Sequence, residues 1–294
     1  MYLTVEKFLV PEIDCGDHFE IEGLKRLGNV SQQFIKMFKD ELSSMKSNGR
    51  TGLIYAKGVT IDSGITCLKQ EVEGISILPQ KTMPVVLELT QHGLYRYAKA
   101  FSGINFEFAE VESSSCSSSL TAVVKAVKYI EMYNLDEVLI VTDERNSQST
   151  IKIFKESRID VKPGDGFAIA RVSRDKIDDS SVYIIDAKQS FIPGSNPFDV
   201  TEEGYSRVSG FKTEYLKPHD PGSEGTGLAE SSAVSRYEKS SIFSYKKKFG
   251  HMQGASGLVE LCYMLDNESI NGSVQCLASG VGGFYAGIIL TKWS

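Results

Sequence analysis

The stretch Ser113-Ser114-Ser115-Cys116-Ser117-Ser118-Ser119-Leu120 separates two segments whose apolar residues follow different periods. Upstream, Ile104, Phe106, Phe108 and Val111 stand among polar residues in near-alternation, which predicts a strand running into the serines. Downstream, Leu120, Val123, Val124, Val127 and Ile130 recur at helical spacing, so a helix begins at about Ser117 or Ser118. Cys116 therefore falls on a sharp strand-to-helix turn. Unpaired N–H groups and the positive end of the helix dipole favour a thiolate there, which predicts a pKa below the free-thiol value of about 8.5. The flanking serines are small and leave the sulfur room to meet a bulky group. Taken alone, the stretch also reads as a serine-rich linker with an incidental cysteine, and the rest of the chain decides between the two.

At 294 residues, 41% hydrophobic and 24% charged, the chain can bury a substantial core as one large domain or two fused ones. A net charge of −6 with no dense basic stripe argues against nucleic acid as the main partner. The run Lys246-Lys247-Lys248 reads as a solvated face. No run of about 18 apolar residues is present, so no membrane span is expected. The acids Glu6, Glu12 and Asp14 break any leader-like apolar core at the start. Cys15, Cys67, Cys116, Cys262 and Cys276 are odd in number and widely spaced, with no Cys-x-x-Cys pair. That usage suits a reduced cytoplasm rather than a disulfide or zinc framework, so the expected location is cytoplasmic and no metal site is expected.

Strand-like and helical segments alternate along the chain. Met1–Gly28 opens like a strand, and Phe34, Ile35, Phe38, Leu42 and Met45 predict an amphipathic helix over Val30–Met45. Gly52–Ala56 is a short buried strand, and a helix follows Pro84 towards Ala100. After the Cys116 helix, Glu137–Val141 is a central strand, and Phe167–Val172 and Val182–Ile185 are two more. Pro193–Pro197 and His219–Gly227 are loops by composition. Ala255, Leu258, Val259, Cys262 and Leu265 mark an apolar helix, and Ser273–Leu277 and Tyr285–Leu290 are strands flanking Gly280-Val281-Gly282-Gly283. The alternation predicts an α/β fold with layered sheets and helices. With no linker between the halves, residues 1–294 read as a single domain, its halves 1–173 and 174–294.

Five segments, in order along the chain, resemble the β-ketoacyl-acyl carrier protein synthases, the ketosynthases of the thiolase superfamily. Ser114–Ala122 is similar to their nucleophile turn, and Asp136–Ile140 to the strand after it. The stretch Ser244-Tyr245-Lys246-Lys247-Lys248-Phe249-Gly250-His251-Met252-Gln253-Gly254-Ala255-Ser256-Gly257 matches every fixed position of their Ser-x-Lys-x-x-x-Gly-His-x-x-Gly-Ala-x-Gly motif. His219 through Glu230 resembles their other histidine loop, and Gly280–Gly283 their closing glycine-rich loop. The resemblance covers about Arg50 to Ser294, in a shorter chain than is usual for the family.

The resemblance implies a thiolase-like fold, two related α/β halves in a five-layered αβαβα arrangement. It implies acyl transfer from the phosphopantetheine of acyl carrier protein to Cys116, then decarboxylative condensation with a malonyl-type extender in fatty-acid or polyketide-type biosynthesis. Cys116 would be the nucleophile, and its N–H with that of Val281 the oxyanion hole. His219 and His251 would stabilise the enolate, and Lys246 and Glu230 would form a charge pair tuning them. His18 and His92 lie outside these motifs and read as packing or surface residues. Ser223, Val281, Gly282 and Gly283 would line the substrate channel, with no bound cofactor. The partners implied are acyl carrier protein and a second ketosynthase subunit, identical or homologous, paired through Asn105–Glu112.

The chain departs from the family in two loops. His219-Asp220-Pro221-Gly222-Ser223 stands where His-Gly-Thr-x-Thr is usual, and Ser279 and Val281 replace two phenylalanines. Two other readings therefore remain open: an acyltransferase passing the Cys116-bound group to another nucleophile, and a non-elongating partner of a ketosynthase heterodimer, of the chain-length-factor type.

Overall fold

In the computed structural model of the chain, structure is described for residues 1–10, 41, 43–45, 47, 49–58, 102–144, 154, 161–195, 199–220, 224–234 and 240–292. Most of the helix expected over Val30–Met45, the helix expected after Pro84, Cys15, His18, Cys67, His92 and Ser223 lie outside these residues.

Among the described residues, ten strands form one continuous hydrogen-bonded order. They are β1 (Tyr2–Leu9), β2 (Thr51–Ala56), β3 (Phe106–Glu112), β4 (Glu137–Glu144), β5 (Gly166–Ser173), β6 (Val182–Phe191), β7 (Tyr215–Lys217), β8 (Ser241–Ile242), β9 (Gly272–Gly280) and β10 (Phe284–Lys292). Their order is β3-β2-β4-β5-β1-β6-β10-β9-β7-β8. The first five strands and the last five repeat one pattern. β2 runs parallel to β3 and β4, as β7 does to β8 and β9. Antiparallel pairs β4–β5 and β5–β1 correspond to β9–β10 and β10–β6. The halves join where β1 meets β6, through Tyr2↔Tyr183 and Leu3↔Val182.

Each half sends one apolar helix between the sheets: α1 (Ser118–Met132) and α5 (Ser256–Asn267). α1 packs on β2, β4 and β5 and also on β6, β9 and β10, so it lies between the two halves; α5 packs on α1, β1, β5 and β9. Leu120, Val123, Val124 and Ile130 of α1, and Leu258, Val259, Leu261 and Met264 of α5, are fully buried. Each such side chain contributes about 1.5–3 kcal/mol. With apolar helices on one side, β2, β4 and β5 are buried along their whole length, which explains their continuous apolar runs. Two helices, α2 (Glu202–Val208) and α3 (Glu224–Val234), pack together, α2 lies on β6, β9 and β10, and the short α4 (Lys246–Phe249) precedes α5. Tyr205, Val208 and Ala233 from this pair meet Leu216, Leu277 and Tyr285 in a separate small core.

β6 is longer than its apolar run, Val182–Ile185, predicts. It extends to Phe191 because β10 pairs with it as far as Phe284↔Phe191.

Candidate active site

Cys116 sits in a one-turn 3-10 segment, Ser115–Ser117, between β3 and α1. Ser115 enters it with φ 54°, the left-handed region that a non-glycine residue adopts only where surrounding bonds hold it. Those bonds come from the serines. The Ser118 hydroxyl accepts from the Ser114 N–H at 2.8 Å and donates to the Ser115 carbonyl at 2.6 Å, and the Ser117 hydroxyl donates to the Ser114 carbonyl at 2.7 Å. The serine run is thus the scaffold of the turn, not a linker.

Cys116 keeps some exposed surface, and the Ser115 hydroxyl lies 3.7 Å from its sulfur. The thiol pKa is nevertheless raised. Loss of hydration around the sulfur outweighs the Ser115 hydrogen bond and the pull of Lys246, and Glu144 adds to the rise. This corrects the expectation of a depressed thiol: a helix N-terminus favours the thiolate, but burial in this chamber costs more.

His219 follows β7, and its ring centroid lies 5.5 Å from that of His251, edge to face. Both are buried. Both are held well below the usual imidazole pKa, first by burial and then by the nearby Lys246, so both are neutral. The Gln253 N–H donates to Nδ1 of His251 at 2.9 Å, which places the His251 proton on Nε2 as a donor. The His251 backbone is pinned by its N–H on the Lys162 carbonyl at 2.7 Å and by its carbonyl, which accepts from Gly164 N–H at 3.1 Å. Gly250, at φ 78°, lets the chain approach Gly164 this closely; a Cβ there would sit 2.8 Å from the Gly164 backbone.

Lys246 is completely buried and donates to the His219 carbonyl. Its ion pair is with Glu260 at 3.2 Å, and the other Glu260 oxygen pairs with Lys217 at 2.5 Å. The charges of Lys246 and Glu230 act on one another as expected, but the direct ion pairs form a lysine–glutamate–lysine bridge through Glu260. Glu230 has different work: its two oxygens accept the N–H groups of His219 at 2.5 Å and Asp220 at 2.8 Å, fixing the histidine loop. Burial pushes the Glu230 carboxyl up to about 7 against those two bonds. Burial of Lys246 also corrects the reading of Lys246–Lys248 as a wholly solvated face, because Lys246 points inward and only its neighbours lie outside.

The closing turn joins β9 to β10 through Gly280-Val281-Gly282-Gly283, with φ 96° and 90° at the last two glycines. Gly280 presses on the Cys116 turn so tightly that a Cβ would overlap the Ser114 carbonyl oxygen. Val281 is exposed beside it. The turn around Gln253–Ala255 also packs against the Cys116 turn, and the Leu258 N–H donates to Ser119 Oγ at 3.1 Å. Cys116, His219, His251, Lys246, Glu230 and the Val281 turn are thus gathered at one end of the central helices.

Lys217 and Glu260 escaped the sequence reading, though each left a signal. Lys217 stands two residues before His219 at the end of a strand, and Glu260 is a lone acid within the apolar run Leu258–Cys262. Among the described residues no group of three or more His, Cys, Asp or Glu could hold a metal ion, and no helix is long and apolar enough to cross a membrane.

No family model and no curated protein matches the sequence. Solved structures do. The ishigamide ketosynthase/chain length factor is 14% identical with a TM-score of 0.74, over 100% of this chain and 99% of that one. The chain has the ketosynthase fold. A β-ketoacyl synthase from Burkholderia phymatum STM815 is 15% identical with a TM-score of 0.76, over 95% and 87%. The oxazolomycin ketosynthase domain of Streptomyces albus JA3453 is 14% identical with a TM-score of 0.71, over 92% of this chain but 60% of that one. The repeated strand order and the paired central helices are the two related α/β halves of this thiolase-like, ketosynthase-type fold.

Proposed function

We propose that the chain is an acyl carrier protein-dependent condensing enzyme. The observation that carries the reading is the gathering of a strand-to-helix cysteine with two neutral, buried histidines whose rings are 5.5 Å apart. In the first step the Cys116 sulfur attacks the acyl carbon of a carrier-bound thioester. A new carbon–sulfur bond forms, the donor's carbon–sulfur bond breaks, and the thiol proton leaves on the departing pantetheine thiol. Amide N–H groups of Cys116 and the closing turn stabilise the oxyanion. In the second step a malonyl-type thioester loses CO₂, and the electron pair left behind forms an enolate. The Nε2–H of His251 and the His219 ring donate to its oxygen, where a charged imidazolium is not required. The enolate carbon then bonds the acyl carbon, the Cys116 carbon–sulfur bond breaks to release the thiolate, and a proton taken up from solvent returns the thiol. Lys246, anchored by Glu260, holds the His219 loop through its carbonyl.

In this reading the carrier protein delivers its pantetheine past Val281, and a second subunit pairs along the open edge of β3, which no described strand covers. The likeness to a ketosynthase/chain length factor favours one alternative, a partner that shapes a chain without extending it. One experiment separates the two. Intact-mass analysis after incubation with acyl thioesters is expected to show one acyl group on Cys116. CO₂ release from malonyl thioester is expected to fall at least about 10²-fold in His219→Ala or His251→Ala. Wild-type CO₂ release in both variants, or a chain that never becomes acylated, would overturn the condensing reading.

A further inference from the structure

A cavity of about 580 Å³ opens beside the Cys116 turn, lined by Ser114, two residues before Cys116, and Thr121, five residues after it. Cys116 lies between those two residues on the chain, in the 3-10 segment that runs directly into α1, so the cavity adjoins the turn that carries the sulfur. Its volume is that of a small-molecule site, but such sites are lined mainly by apolar side chains. This one is not. The ammonium of Lys125 binds Glu110 and Glu112, with Glu112 Oε2 at 2.5 Å, which leaves its third hydrogen without a partner among the described residues. Thr121, Gln189 and Ser190 line the cavity, and their side chains likewise have no hydrogen-bond partner among the described residues. The aromatic rings of Phe191 and Phe284, 5.2 Å apart, stand at the side where Phe191 is exposed.

A saturated chain filling this space would strip water from an ammonium, a carboxamide and two hydroxyls without replacing their hydrogen bonds. A chain carrying oxygens would replace them. A site built to hydrogen-bond an oxygen also discriminates far more strongly than one that measures length alone. We infer that this cavity holds the acyl group on Cys116 and selects a short, oxygenated chain, of the 3-hydroxy or 3-oxo class, over a saturated fatty acyl group. The inference rests on acyl transfer to Cys116 and adds the class of acyl group.

The test compares acylation of Cys116 by the N-acetylcysteamine thioesters of 3-hydroxyhexanoic and hexanoic acids, followed by intact mass. The oxygenated thioester is expected to load at least about tenfold faster. That ratio is expected to fall towards one in Thr121→Val and in Gln189→Leu, which keep volume and remove the polar groups. Faster loading of hexanoate by the wild-type chain overturns the inference while leaving acyl transfer intact. An unchanged ratio in both variants overturns it too, because the chain then lies elsewhere. Loading with the expected preference but no CO₂ release from malonyl thioester would leave the cavity assignment standing and end the condensing reading. No loading by either thioester ends both.

Discussion

The molecule builds the same turn twice and uses it for opposite purposes. In the first half the chain enters a 3-10 turn at Ser115 with φ 54°, and in the second at Gln253 with φ 41°. The Ser118 hydroxyl accepts the Ser114 N–H at 2.8 Å, and the Ser256 hydroxyl accepts the Met252 N–H at 2.9 Å. The residue that follows the strained position is Cys116 in one turn and Gly254 in the other. Around Cys116 there is space and a partly open surface. Around Gly254 there is none: a Cβ would overlap the Gly58 backbone, and the Gly254 N–H is taken by the Glu144 carboxyl, which also accepts the Gly58 N–H at 2.9 Å. A backbone device that can cradle an anion is thus left open in one half and plugged by the protein's own carboxyl in the other. The plugged copy is what places His251, which lies just ahead of it, against the first.

The sharpest way to break this comparison is to move the thiol. The double variant Cys116→Gly, Gly254→Cys is expected to lose acylation completely, since position 254 offers neither room nor a free amide. Intact-mass detection of an acyl group at 254 would show the two turns to be interchangeable. A smaller effect concerns stability. Gly254→Ala forces a methyl into the Gly58 backbone and is expected to cost about 1–3 kcal/mol, while Cys116→Ala costs well under that. Urea midpoints of the two variants measure the difference, and equal midpoints would contradict it.

The last expected effect is a pH dependence. Burial pushes the Glu144 carboxyl up to about 8, against Lys57 and the two backbone N–H groups that favour its charged form. Its folded pKa lies above the unfolded value of about 4.3, so between these values the folded state holds the extra proton. Its contribution to stability is therefore full at acid pH and is lost as pH rises from about 5 to 8. Glu144→Gln keeps an acceptor for the two N–H groups without the charge. The urea midpoint of the wild-type chain is expected to fall more between pH 5.5 and 8 than that of the variant, and parallel curves would place the titration elsewhere.

The part of this arrangement written in local pattern was legible. The change of period on either side of Cys116 marks β3 and α1, and the motif from Ser244 to Gly257 marks His251 and its glycines. Strong periodicity and glycine-dependent turns are properties of neighbouring residues, so they survive in one sequence. What was not legible depends on residues brought together from afar. Lys217 and Glu260 become partners only when β7 meets α5, and Glu260, which no motif marked, is the carboxylate that touches Lys246 directly. The thiol pKa reversed for the same reason. A helix N-terminus can be read from spacing, but the depth of the chamber around Cys116 is made by both halves.

The position of β1 bears on how the chain comes to be folded. This first strand belongs in the middle of the ten, between β5 and β6, and Leu3 within it is fully enclosed. Both neighbours lie beyond residue 165, so a ribosome releases β1 long before either partner exists. Until then it is an unpaired ribbon with both edges bare, the state in which nascent chains stick to one another. Closing so distant a pairing is slow. The N-terminal sheet therefore closes only when β5, the last strand of its own half, arrives to secure β1 along Tyr2–Leu9, and the second half then joins through the two pairs that β1 makes with β6.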